Sequence, residues 1–378
     1  MRFVVHIGTH KTGTSSIQTF CAANRKELLE QGIYYPTNKY SSRNFNFLAA
    51  RIARGDLDEP RAFLADAARK AARKGAHTVL LSAESFYAMN SFFFRLYNRP
   101  VGNYWASEKH AVEAFRTCFP RGEMRILCYL RRQDRQVETV YNQCVKHETG
   151  FPGTIDDFLP LMEDMLDYAG HLDLWADAFG AGNIQVRSYD QAADRLIPDF
   201  LEASVGIQDD KGFRPIKEEA NVRLNRDVME YKRILNRIDM PRHEQVLHML
   251  SLWALSQQMG DTHIHQRYLE PQERLRLVEQ YANGNTRVHE QFLESGAPPL
   301  FPALEAPRDV TWAPYPGLSV EKATEIFLRH KQITDSLGFR TELQLRRTTH
   351  ALRQRFPAFE EVLHLVRRLR RFRTKRLA

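Results

Sequence analysis

The residues that most constrain this chain are a short apolar run, Phe3, Val4 and Val5, followed at once by His6-Ile-Gly-Thr-His-Lys-Thr-Gly-Thr-Ser-Ser-Ile-Gln18. The apolar run reads as a buried strand. After the loop, an amphipathic pattern puts Ile17, Phe20 and Leu28 on one helix face, with Gly32 as a natural stop. Strand, Gly-rich loop and helix, in that order, point backbone N–H groups and a helix N-terminus at an anion. A nucleoside-triphosphate loop reads G-x-x-x-x-G-K-[ST]. Gly8 and Gly13 keep that glycine spacing, but Thr14 stands where the lysine belongs, and the lysine is Lys11, three places earlier. This describes a phosphate loop that does not fit an ordinary ATPase.

The first two hundred residues alternate strand and helix signals. Strands are expected at Phe3–Ile7, Thr78–Ser82, Arg125–Leu130 and Ile184–Ser188, and helices around Ser15–Gln31, Arg61–Lys74, Ser107–Cys118, Arg135–His147, Leu172–Ala178 and 190–206. That alternation predicts an α/β fold, a central parallel sheet flanked by helices. From about 207 the pattern turns mainly helical, at roughly 223–237, 243–259, 270–282, 284–294 and 319–337, the last ending at Gly338. Residues 296–316 carry six prolines and read as an extended segment or surface linker. The expected organisation is one α/β domain over 1–340, with 1–206 as sheet core and 207–340 as helical extension, and a basic tail over 341–378.

Charge sits in that tail. It holds eleven Arg and Lys against three Glu, which accounts for the chain's formal net charge of +8 and leaves the rest close to neutral. The basic character therefore argues against a nucleic-acid-binding body. Phe359, Val362, Leu363, Val366 and Leu369 fall at helical spacing in the tail. That pattern suits a helix packed on the body, a solvated tail, or peripheral contact with an anionic membrane. No apolar run approaches a membrane span, and the apolar start is too short for a signal peptide. Cys21, Cys118, Cys128 and Cys144 are scattered without metal or disulfide spacing, so a reduced, cytoplasmic compartment is expected.

A second motif follows the strand Arg125–Leu130. Arg131 stands at its carboxyl edge, and Thr139 follows eight residues later in the next helix. Ligands of open α/β sheets bind at that edge, so guanidinium and hydroxyl can converge there. Alone, such an arginine is often a solvated corner. Together with Lys11-Thr12-Gly13-Thr14-Ser15, the pair resembles the sulfotransferases that use 3′-phosphoadenosine 5′-phosphosulfate (PAPS). In that family a K-[ST]-G-[ST]-[ST] loop cradles the 5′-phosphosulfate, and an arginine with a serine eight residues on holds the 3′-phosphate. Thr139 keeps the hydroxyl of that serine. The variant around Leu130–Asp134, with Tyr141 and Gln143, is similar to bacterial members that sulfate carbohydrates. Weaker likeness runs through Val186–Asp190, Ala220–Asn225 and Asn285–Val288.

The resemblance implies PAPS as donor, a carbohydrate or glycolipid hydroxyl as acceptor, and donor contacts from Lys11, Thr12, Gly13, Thr14, Ser15, Ser16, Arg131 and Thr139. Lys11 would stabilise charge on the bridging and leaving oxygens; read alone, it is an exposed loop lysine. A base is also needed. The candidate is Glu84, just past the strand Thr78–Ser82, in a position where several carbohydrate sulfotransferases carry a glutamate. Its other reading is a first-turn carboxylate of a following helix. His6 reads as structural, and His10 ranks second as base. His110, His147, His263 and His265 lack metal spacing, and no metal is expected. Lys39, Arg43 and Tyr87 are candidates for the acceptor wall or plain surface. The segment Arg43–Asn46 lacks the histidine common there in related bacterial proteins, and Asn90–Phe94, Tyr104 and Trp105 read as core. Two rivals remain: a P-loop kinase using ATP, which Thr14 disfavours, and a non-catalytic nucleotide-binding scaffold at a membrane surface.

Overall fold

The structure is a computed structural model that describes residues 1–89, 102–146, 150–216, 224–259, 267–294, 296–302 and 313–336, without the side chains of 242 and 243. Expectations for Asn90–Phe94, His147, His263, His265, Gly338 and the tail fall outside these residues. Contacts divide the chain into two compact units. The first comprises Met1–Val145, Phe151–Val222 and His265–Pro316, and the second Lys146–Gly150, Arg223–Ile264 and Gly317–Ala378.

The first unit is a parallel sheet covered by helices. Its strands are β1 (Arg2–Gly8), β2 (Ile33–Tyr34), β3 (Thr78–Ser82), β4 (Glu123–Leu130) and β5 (Ile184–Ser188), in the order β2-β3-β1-β4-β5. All pairings are parallel. Phe3, Val4, Val5 and Ile7 of β1 are fully buried, as are Val79, Leu80 and Leu81 of β3. Strands covered on both faces need such continuous apolar runs, which is why the sequence announced them.

The helices of this unit are α1 (Thr14–Ala23), α2 (Arg25–Glu30), α3 (Asn46–Ile52), α4 (Asp58–Arg73), α5 (Tyr104–Cys118), α6 (Gln133–Lys146), α7 (Ile155–Leu166), α8 (Tyr168–Phe179), α9 (Tyr189–Ala192) and α10 (Leu196–Val205). α13 (Pro271–Gln280) and α14 (Ala282–Phe292) also belong to it, whereas α11 (Arg226–Leu235), α12 (Arg242–Met259) and α15 (Val320–Asp335) form the second unit. Within that unit, Asn225 caps α11 and the Ser251 hydroxyl lies 2.6 Å from His330 Nε2.

Two departures from the sequence reading have local causes. The single helix expected over Ser15–Gln31 breaks at Asn24, whose buried amide donates to Phe20 O (3.0 Å) and Arg214 O (3.1 Å) and accepts from Arg214 N–H (2.7 Å). A side chain that bonds the preceding turn competes with helix continuation. The helix expected over 190–206 splits into α9, a 3₁₀ turn at Ala193–Arg195, and α10. Pro198 lacks an N–H and crowds the carbonyl four residues back, so α10 begins only two residues ahead of it. α3, α7 and the two-residue β2 were not anticipated. For α7 a signal existed: Thr154 and Asp157 form a capping box.

Candidate functional site

β1 lies between β3 and β4, and the chain visits one side of it before crossing to the other. The crevice at its carboxyl end is therefore a topological switch point. Gly8 of β1, Ser82 of β3 and Leu130 of β4 end there in parallel register, bringing loop 9–13, Glu84 and Arg131 to one edge.

Glycine is required at both ends of the loop. Gly8 has φ 111°, and a Cβ there would stand 3.1 Å from Glu84 Cα and 3.2 Å from its carbonyl oxygen. Gly13 has φ 74°, and its Cβ would fall 2.2 Å from Leu196 Cδ2. Between them Thr9 N–H donates to Tyr129 O (2.9 Å), the Thr12 hydroxyl to Thr9 O (2.7 Å), and Gln136 Nε2 of α6 to His10 O (2.7 Å). These bonds hold Lys11 at φ 65°, a left-handed conformation that costs a non-glycine residue about 1–3 kcal/mol.

Thr14 opens α1 and is buried, Ser15 is exposed, and Ser16 is partly buried with its N–H on Gly13 O at 3.0 Å. The amides ahead of Ser16 have no carbonyl one turn earlier to bond, so the start of α1 can cup an anion. The Thr12 hydroxyl, in contrast, is committed to the loop itself.

Lys11 Nζ reaches a neutral acceptor, Gln143 Oε1 of α6, at 3.5 Å. Burial and then the nearby Arg131 charge lower its pKa from 10.5. Arg131 and Thr139 do converge: Nη1 donates to Thr139 Oγ1 at 3.1 Å and to Lys11 O at 3.4 Å. The guanidinium lies over the Tyr189 ring (5.3 Å), with Nε 3.8 Å from Asp190 Oδ1. Asp190 also accepts from Arg135 Nη1 (2.8 Å) and Arg132 N–H (3.1 Å).

Glu84 begins a 3₁₀ turn, Glu84–Phe86. Its Oε2 accepts from Gln18 Nε2 of α1 at 2.6 Å, and its Oε1 from Asn46 Nδ2 of α3 at 3.0 Å. Burial alone would raise this carboxyl, but attraction to His10 and the two amide bonds outweigh it and hold the group below its ordinary 4.5. His6 is fully buried, bonds Ser82 Oγ at 2.8 Å, and is pushed by burial to about 4. That is a neutral structural histidine, as the sequence suggested. Burial also lowers His10 from 6.5.

The expected acceptor wall is corrected at Tyr87, which is fully buried, donates to Met165 O (3.2 Å) and stacks on His171. Lys39 is exposed and paired with Glu59 at 3.1 Å, and the exposed Arg43 donates to Thr19 Oγ1 at 3.0 Å. Tyr104 is core, its hydroxyl 2.8 Å from His171 Nε2. Sequence reasoning passed over Gln18, Asn46 and Asp190, which end segments it named but to which it gave no individual role. Nothing in their spacing marks them, because each meets its partner only across the fold. Among the described residues, no group of three or more His, Cys, Asp or Glu side chains is placed to hold a metal, and no helix is long and apolar enough to cross a membrane.

No protein-family model matches the chain. An uncharacterized protein of Archaeoglobus fulgidus is 30% identical over 172 residues, 44% of this chain; the chain spans under half, 45%, of that relative. A crystallised sulfotransferase from Alicyclobacillus acidocaldarius aligns with 67% of this chain and 95% of its own at 15% identity, with a TM-score of 0.35. A likeness that loose assigns no activity.

Proposed function

We propose that this protein is a sulfotransferase that moves a sulfuryl group from PAPS to a hydroxyl of a carbohydrate or glycolipid. One observation carries the reading: the loop bearing Lys11 and the Arg131–Thr139 pair occupy the same sheet edge, with Arg131 bonded to both Thr139 and the Lys11 carbonyl. A donor with a 5′-phosphosulfate and a separate 3′-phosphate needs two anion sites, and these two clusters match that need.

The residues present fit such a donor. Gly13 lets the loop pack against Leu196 and Tyr189, and Lys11 is hydrogen-bonded to an amide, so its charge is not spent on a carboxylate. Thr12, Gly13, Thr14, Ser15 and Ser16 would line the 5′ end, and Arg131 with Thr139 the 3′ end. The group supplies an activated sulfuryl whose in-line transfer resembles phosphoryl transfer. Glu84 would take the proton of the attacking hydroxyl. Lys11 and the loop amides would stabilise charge on the departing oxygen.

Calorimetric titration of the purified protein with adenosine 3′,5′-bisphosphate and with ATP–Mg²⁺ tests this. Micromolar binding of the bisphosphate without metal is expected. A preference for ATP–Mg²⁺ would sink the reading in favour of a small-molecule kinase.

A further inference from the structure

Buried carboxylates are commonly held by a cation, yet the side chains hydrogen-bonded to the Glu84 carboxylate are two neutral amides on two different elements. Gln18 Nε2 lies 2.6 Å from Oε2 and 3.5 Å from Ser82 O, so its NH₂ end faces both acceptors. Asn46 Nδ2 lies 3.0 Å from Oε1, while its Oδ1 accepts from the N–H of Ser85 at 3.5 Å. Each amide is thus oriented by a second contact with the β3–Glu84 segment. Gln18 is 4% exposed and sits one turn into the helix whose first turn forms the anion cup.

We infer that Gln18 and Asn46 are positioning residues for Glu84, two amides that clamp its carboxylate in the ionised form beside the donor loop. Two donors satisfy a carboxylate taken out of water without neutralising it. Each oxygen keeps a further lone pair for an incoming proton. A lysine or arginine in their place would cancel the negative charge that a base needs. Because Gln18 rides on α1, the clamp also registers Glu84 against the anion cup. Among the described residues, the titratable groups facing Glu84 include His6 on β1, His10 and Lys11 in the loop, and Tyr35 after β2. Attraction to His10 lowers the carboxyl most, and the Asn46 and Gln18 amides add directional hydrogen bonds that fix its orientation.

The role of the clamp in catalysis rests on the sulfotransferase reading, but the clamp itself can be read without turnover. Full-length protein carrying carboxyl-¹³C glutamate would be titrated by NMR, with the Glu84 signal assigned by its loss in Glu84→Gln. In Gln18→Met and in Asn46→Ala, the Glu84 midpoint is expected to rise by about one unit, a tenfold change in the ionisation constant. The acidic limb of kcat/KM should move by the same amount while bisphosphate affinity stays unchanged. If one variant fails to fold, the other decides. An unmoved midpoint in a folded variant, or failure of both to fold, overturns the inference and leaves two structural pegs. A shifted midpoint in a protein without sulfuryl transfer would uphold the clamp and reject the proposed function instead.

Discussion

Lys11 combines three properties that an ordinary loop lysine lacks: a left-handed backbone, partial burial, and a neutral hydrogen-bond partner. Arg131 is different, already engaged with Thr139, the Lys11 carbonyl, Asp190 and the Tyr189 ring. The two should therefore fail differently. Under the proposed function, Lys11→Ala would remove charge needed mainly as the bond to sulfur breaks, and turnover should fall about 100- to 1,000-fold. On the same proposal, Arg131→Ala would remove ground-state hydrogen bonds to the 3′ end, and the bisphosphate Kd should rise about 10- to 100-fold. Parallel measurement of kcat and Kd checks this; the same split in both variants would count against separate roles. Lys11, Arg131 and Thr139 were legible because sequence-local spacing delivers each to the sheet edge. Glu84 was legible as a carboxylate past a strand, but its environment was not.

At the scale of elements, α6 ties the site to the helices that follow it. Asp134 is fully buried and bonds Arg132 Nε at 2.8 Å and Arg274 Nη2 of α13 at 2.5 Å. Burial would raise its carboxyl, but the two guanidinium groups hold it below 3.8. Gln133 exchanges amide bonds with Asn285 of α14 at 2.7 and 3.1 Å, and Glu138 accepts from the backbone of Tyr268 and Leu269. Asp134→Ala strands the buried Arg132 and the half-buried Arg274 and should cost about 3–5 kcal/mol. Urea unfolding should show a lower midpoint with an unchanged slope. A loss under about 1 kcal/mol would mean that apolar contact, not the ion pairs, fixes α13. Helix periodicity revealed α6 and α13 separately, but not that their charges meet.

At the scale of the whole first unit, two buried histidines set its response to acid. Burial pushes His6 to about 4 and His171 to about 3, against an ordinary 6.5. Both folded pKa values are depressed, so the unfolded chain binds more protons once pH falls below about 6.5. The stability they confer is complete above that point and is lost as pH falls toward 3. Each costs up to about 1.4 kcal/mol per unit of pH within the window. Denaturant unfolding between pH 7 and 5, above the range where most carboxylates titrate, checks this. A flat stability there would contradict the buried, neutral state of both. By itself the sequence determined four of the five strands, the glycine loop after β1, the spacing of Arg131 and Thr139, and the α/β class, because hydrophobic period and short-range spacing are local properties. Only the tertiary structure decided the strand order, the break at Asn24, the burial of Tyr87 and the clamp on Glu84. Gln18 and Asn46 lie 66 and 38 residues from Glu84. Periodicity says which face is buried, whereas packing chooses what that face meets.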